Sequence, residues 1–270
     1  MKTSTDKTEV NIMKTAFITG ATSGIGFEFA KSLSEQGYAL IVHGRNPQKL
    51  AELERQIEGV TQTICADLSD PVTHAQVIQQ LEAYSNSIDV AINNAGYGLY
   101  GAHIEHTSAQ IQQMVSVNVL ALTSLSEYFV RRMEKQGKGY LMNVASTAAY
   151  QPQPYMAAYA ASKAYVASFT EALAVEMKGK GVNITCLSPG RTDTGFFTFD
   201  GKDESSSGSG TFAAKYRVSP AKVAQKGLDA LFKGRFREIP FLDNKFYVFL
   251  NRILSKDGML KMYSSAMKNV

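Results

Sequence analysis

Two cysteines and four histidines are all that the 270 residues hold of the side chains suited to disulfides and soft metals. Cys65 and Cys186 each sit in an apolar, strand-like run, the setting of a buried reduced thiol rather than a cross-link. Only His103 and His106 lie near one another, and no cysteine or acidic cluster accompanies them. The histidines therefore read as surface residues, and no metal site is expected. No apolar run reaches the roughly 20 residues of a membrane span. The opening residues are polar and charged, without the apolar stretch of a secretory leader, so a cytoplasmic protein is expected. Met13-Lys-Thr repeats the Met1-Lys-Thr start, and residues 1–12 read as a disordered extension. Excess charge is scarce too. The net +4 is mild, no nucleic-acid partner is expected, and the imbalance sits in the tail, with eight bases against three acids from Lys233 onward.

What the chain has is a regular alternation of short apolar runs and longer amphipathic ones. Runs at 14–19, 39–43, 61–66, 89–93, 140–145 and 182–187 read as buried strands, with a last strand at 236–240. Helices are expected from the first glycine-rich turn to about Gln36, from Pro47, and over 71–84, 108–134, 155–178 and 220–233. This rhythm predicts an α/β fold. About seven strands form a Rossmann-type, doubly wound parallel sheet with helices on both faces, a three-layer sandwich. The polar Gly/Ser-rich stretch 200–210 reads as part of a mobile loop, about 195–219, inside a single domain over 13–270. A C-terminal helical segment is expected at about 241–268.

Between the first strand and the first helix stands Thr19-Gly20-Ala-Thr22-Ser23-Gly24-Ile25-Gly26. Glycines there serve a tight turn, a close phosphate approach and helix–sheet packing, at a helix N-terminus that favours anions. A second cluster, Tyr155-Met-Ala-Ala-Tyr159-Ala-Ala-Ser-Lys163-Ala-Tyr165, sets three phenols and an ammonium among small residues. Only Tyr159 has a lysine four residues on, and residues four apart share a helix face. A phenol titrates near ~10 and is a poor base at neutral pH, and a nearby ammonium lowers that value. Tyr159 could then pass a proton to or from a substrate oxygen. Tyr155 and Tyr165 read as packing residues.

Taken together, Thr19–Gly26, Asn93-Asn94-Ala95-Gly96, Asn118, Ser146, Tyr159-Ala-Ala-Ser-Lys163 and Pro189-Gly190 resemble the compact branch of the short-chain dehydrogenase/reductase family, over about residues 14 to 240. The resemblance implies a catalytic set of Asn118, Ser146, Tyr159 and Lys163. Ser146 would orient the substrate oxygen, Lys163 would tune Tyr159 and hold ribose, and Asn118 would open its helix locally and hold a water in a relay to Lys163. It also implies that Asp67 meets adenine, that Asn93, Ala95 and Gly96 line the riboses, and that Pro189, Gly190 and Thr194 clamp the nicotinamide amide. Thr22, Ser23, Ile25, Asn46, Leu68, Asn94 and Thr192 complete the residues expected on the cofactor, with the glycines at 20, 24 and 26. Tyr97 and Tyr100 add rings near the same mouth.

Cofactor choice rests on Val42-His43-Gly44-Arg45-Asn46, where an NAD site carries an acid for the ribose hydroxyls. A carboxylate repels a 2′-phosphate and a guanidinium binds it, so Arg45 points to NADP(H) in preference to NAD(H). The expected activity is interconversion of a carbonyl and an alcohol, on an apolar small molecule. A dinucleotide-sensing binding protein without chemistry is the alternative. Phe196, Phe197, Phe199 and Phe212 either line an apolar pocket or pin their loop. The apolar helix near 246–254 is expected to make core or subunit contacts ahead of a membrane-surface role. By family likeness a homodimer or homotetramer forms through the helices at about 108–134 and 155–178.

Overall fold

The computed structural model describes residues 13–193 and 218–267, with the short segments 198–199 and 202–203 between them. Six parallel strands come first: β1 (Thr15–Ile18), β2 (Ala39–Gly44), β3 (Val60–Cys65), β4 (Val90–Asn93), β5 (Gly139–Val144) and β6 (Val182–Leu187). Two-residue strands β7 (Thr198–Phe199) and β8 (Lys202–Asp203) pair antiparallel by themselves. The last, β9 (Arg237–Glu238), joins the main sheet, whose order is β3-β2-β1-β4-β5-β6-β9. All its pairings are parallel, and the order reverses between β1 and β4, the crevice where such sheets bind ligands.

The two-residue period of a strand sorts side chains onto two cores. Ala16 and Ile18 of β1 face one layer with Phe29 and Leu33 of α1 (Gly24–Glu35), while Phe17 faces the other with Phe129. Helix ends follow local chemistry. Asn46 caps α2 (Pro47–Gln56) by accepting the Lys49 amide at 2.9 Å, and Asp70 caps α3 (Pro71–Glu82) by accepting the Val72 amide at 2.9 Å. Thr107 and Gln110 form a reciprocal box at the start of α4 (Ser108–Val115).

The expected continuous helix at 108–134 is broken. A π-helical turn, Ser116–Ala121, separates α4 from α5 (Leu122–Gln136), because Asn118 spends its amide on groups outside the helix. The next helix, α6 (Ala157–Glu176), starts two residues later than expected, and Tyr155 lies ahead of it with φ of 63°. Three helices follow: α7 (Pro220–Phe232), α8 (Leu242–Ile253) and α9 (Lys256–Met267). The last strand is shorter than 236–240, since only Arg237 and Glu238 find partners, in Cys186 and Leu187. His43 and His74 are buried, not surface residues: each ring bonds a main-chain carbonyl, Ala66 and Leu68 respectively. Cys65 is exposed, as the outer side of an edge strand allows, and Cys186 is buried; both are free thiols. Residues 1–12 and most of the loop expected at 195–219 lie outside the described residues. Among the described residues no helix is long and apolar enough to cross a membrane, and no cluster of metal-binding side chains occurs.

Candidate active site

A cleft of about 730 Å³ runs along the carboxyl edge of the sheet. At one end the β1–α1 turn forms its floor. Gly20 has φ of 64°, a conformation that favours glycine, and a Cβ there would lie 2.9 Å from the Ala95 Cα. Thr22, Ser23 and Ile25 line the cleft above it. Ser23, the N-cap of α1, makes no side-chain cap bond, so first-turn N–H groups of that helix are left for a ligand. The turn is fastened from behind. Thr19 Oγ1 accepts the amides of Asn94 and Ala95 at 2.9 and 3.0 Å, and Asn94 Nδ2 donates to the carbonyls of Thr19 and Gly20.

Three of the expected cofactor residues stand behind that surface. Gly24, with φ of 56°, opens α1, and Gly26 packs so tightly that a Cβ would fall 2.1 Å from the Gly20 carbonyl oxygen. Asn93 is buried inside the sheet, where its Nδ2 donates to Ser126 Oγ and Asn143 Oδ1. β4 ends at Asn93, and the loop that follows it lines the cleft with Asn94, Ala95 and Gly96. Thr194 lies outside the described residues.

Beyond the turn the cleft reaches Arg45 and Asn46 at the end of β2, with Asp67 and Leu68 after β3. Two residues the sequence reading passed over also line this end. Lys49 follows Asn46 by three positions on the first turn of α2 and lines the cleft as Arg45 does. His43 accepts the Gly20 amide at Nδ1, 3.4 Å away, and donates from Nε2 to the Ala66 carbonyl. Burial lowers its pKa from 6.5 to about 4, so a neutral ring supports the turn.

The other end holds Ser146, Tyr159 and Lys163, which arrive from β5 and α6. Ser146 is hydrogen-bonded to the Tyr159 hydroxyl and also accepts the Ala148 amide at 3.1 Å, which opens a short 3₁₀ turn. Burial pushes the Tyr159 phenol up to about 12, with the Ser146 bond pulling the other way. This overturns the expectation that the ammonium lowers it: taking the phenolate out of water is the dominant effect. Lys163 is itself 2% exposed and is brought from 10.5 down to about 8 by burial. Its Nζ donates to the Val144 carbonyl at 2.8 Å.

Asn118, fully buried in the π turn, does not line the cleft but stands behind Gly96. It accepts the Tyr97 amide at 3.1 Å and donates to the Tyr97 carbonyl and to Ser162 Oγ, both at 3.0 Å. A Cβ on Gly96 would meet Asn118 Oδ1 at 2.9 Å and Lys163 Nζ at 3.4 Å, so the two polar groups converge on one point. Pro189, Gly190 and Thr192 form the facing wall, Thr192 Oγ1 donating to the Gly190 carbonyl at 3.1 Å. Tyr97 and Tyr100 stand at the mouth with Gln153, Met156 and Arg191, which the sequence reading also missed. Only their position between known landmarks could have pointed to them, since no periodicity marks a loop.

The family model described as short chain dehydrogenase matches residues 14–205. An uncharacterized oxidoreductase of Staphylococcus epidermidis is 32% identical over 181 residues, 67% of this chain and 79% of that protein. A short-chain dehydrogenase from Sphingobium yanoikuyae, solved with NADPH, superposes with a TM-score of 0.76 at 26% identity, over 85% of this chain and 89% of that one. A family member from Burkholderia phymatum, solved with NAD, gives 0.75 at 25% identity, over 88% and 92%. With a parallel sheet in the matching order and a cleft at its switch point, the chain belongs to the short-chain dehydrogenase family of oxidoreductases.

Proposed function

We propose that the protein interconverts an apolar ketone or aldehyde and its alcohol, using NADP(H) in preference to NAD(H). The observation that carries this reading is the Ser146–Tyr159 hydrogen bond inside the cleft, with Lys163 one helical turn behind the phenol. The cleft fits a dinucleotide: glycines at 20 and 96 leave no side chain in the way, and the α1 N-terminus offers amides to a pyrophosphate. Bound there, the nicotinamide would supply or take up the hydride.

The chain's own residues do the rest. Ser146 donates to the substrate oxygen and fixes its position. Tyr159, which burial keeps protonated, gives that oxygen its proton as the alcohol forms. Lys163 brings positive charge to the developing phenolate and, with Asn118, carries a replacement proton inward. Arg45 and Lys49 hold the 2′-phosphate, and the absence of an acid at the end of β2 supports the choice.

A single domain over 13–270 is part of this reading, supported by a sheet that takes strands from Thr15 to Glu238. Exposed Leu120 and Tyr165, on the π turn and α6, suit a homodimeric or homotetrameric contact. Two free thiols suit the cytoplasm.

NADPH consumption followed spectrally over a panel of bulky ketones and aldehydes tests the activity. Turnover is expected with at least one apolar carbonyl, and Tyr159→Phe should lower it roughly 10²- to 10⁴-fold while nucleotide affinity persists. Tight dinucleotide binding with no turnover on any carbonyl would favour a sensor that performs no chemistry.

A further inference from the structure

Helix α8 is amphipathic in the reverse sense to an ordinary surface helix. Leu242, Phe246, Phe249 and Ile253 are 83, 57, 53 and 64% exposed, and their spacing of four, three and four places them on one outward stripe. Val248 is the one buried residue on this helix. Two polar side chains, Asn244 and Asn251, point inward instead. Asn251 Nδ2 donates to Gln151 Oε1 at 3.0 Å, and Asn244 packs on Gly190, where a Cβ would fall 2.1 Å from its Oδ1. A helix that turns its amides to the protein and its leucine and phenylalanines to the outside is built for a second, apolar medium.

The charge around the stripe identifies that medium. Lys245, which reaches Glu238 at 3.6 Å, and Arg252 border it on one edge, and Leu254, Lys256, Leu260 and Lys261 beyond it are exposed too. Arg252, Lys256 and Lys261 have no ion pair among the described residues, and Asp243 and Asp257 are the only acids of the two helices. A twofold antiparallel pairing with a second copy would set the basic edge against itself, Lys245 beside the second copy's Arg252. Anionic headgroups neutralise the same edge while acyl chains take the stripe.

We propose that α8 and the start of α9 dock the protein on an anionic lipid surface, laying Leu242, Phe246, Phe249 and Ile253 into the headgroup boundary. Because the inner side of α8 touches Gly190 and Gln151, docking brings the substrate end of the cleft next to the bilayer. The proposal stands whether or not the chain turns over a carbonyl.

Sedimentation with vesicles tests it without any assay of activity. The full chain is expected to partition at least about tenfold more strongly onto phosphatidylcholine vesicles carrying phosphatidylglycerol than onto phosphatidylcholine alone, and to release in high salt. Two variants separate the contributions, both on exposed positions and both checked by melting against the wild type. Phe246→Asp with Phe249→Asp should abolish partition, and Arg252→Glu with Lys256→Glu should erase the preference for the anionic vesicles. No partition of the wild type, or equal partition of the Phe246/Phe249 variant, overturns the proposal. So does light scattering that shows a wild-type dimer converted to monomer by the Phe246/Phe249 variant, since a second copy then covers the stripe.

Discussion

Lys163 Nζ lies 2.8 Å from the carbonyl oxygen of Val144, the last residue of β5 and two positions before Ser146. One buried hydrogen bond thus ties the helix that carries Tyr159 to the strand that delivers Ser146. Lys163→Met removes both the bond and the charge. It should cut kcat/KM at least about a hundredfold. Steady-state kinetics beside a melting curve checks this, because a loss of activity matched by global unfolding would make Lys163 a packing residue only.

Gly96 separates Asn118 from Lys163. Gly96→Ala would press a methyl to 2.9 Å from Asn118 Oδ1, and a neighbour must give way. The expected result is a fall in kcat of about tenfold or more with the fold retained, since both polar groups are displaced. Unchanged kcat would show that the convergence of the two groups on Gly96 has no part in turnover.

Arg45→Asp should reverse the cofactor preference. Losing a charge-assisted contact and gaining a repulsion lowers the NADPH-to-NADH ratio of kcat/KM by roughly ten- to a hundredfold. Lys49→Glu should act in the same direction by a smaller factor. A ratio indifferent to both substitutions discards the phosphate-binding assignment.

His43 predicts an acid-sensitive fold. Its folded pKa of about 4 lies below the unfolded 6.5, so the unfolded chain binds the extra proton first. Stability is fully present above about 6.5 and is lost as pH falls toward 4, by about 3 kcal/mol from this residue. Urea denaturation at both ends of that window should show the loss in the wild type and a much smaller one in His43→Gln. Equal slopes would assign the acid sensitivity to other groups.

Gly26→Ala tests the fastening of the glycine turn. A Cβ 2.1 Å from the Gly20 carbonyl oxygen cannot be accommodated unless α1 shifts. A stability loss of about 1–3 kcal/mol is expected, with weaker dinucleotide binding by titration.

The parallel sheet and its flanking helices follow from patterns of short range, whereas the order of the strands came from the fold. Alternating apolar runs mark strands, Pro47, Pro71 and Asn46 mark helix starts, and a lysine four residues after a tyrosine marks a shared face. These are local because period, capping and glycine geometry act within a few residues. What needed the tertiary structure was every property set by surroundings. The end of β4 put Asn93 inside the sheet, and the loop after it put Asn94 on the cleft. Burial raised the Tyr159 phenol where proximity to Lys163 alone argued for lowering, and it hid His43 and His74. Lys49, Gln153, Met156 and Arg191 reached the cleft only because distant segments fold together. The outward stripe of α8 is the same kind of case. Its apolar spacing is written in the sequence, but whether that face meets the core or the outside depends on which side finds Gly190 and Gln151, and only the assembled chain decides that.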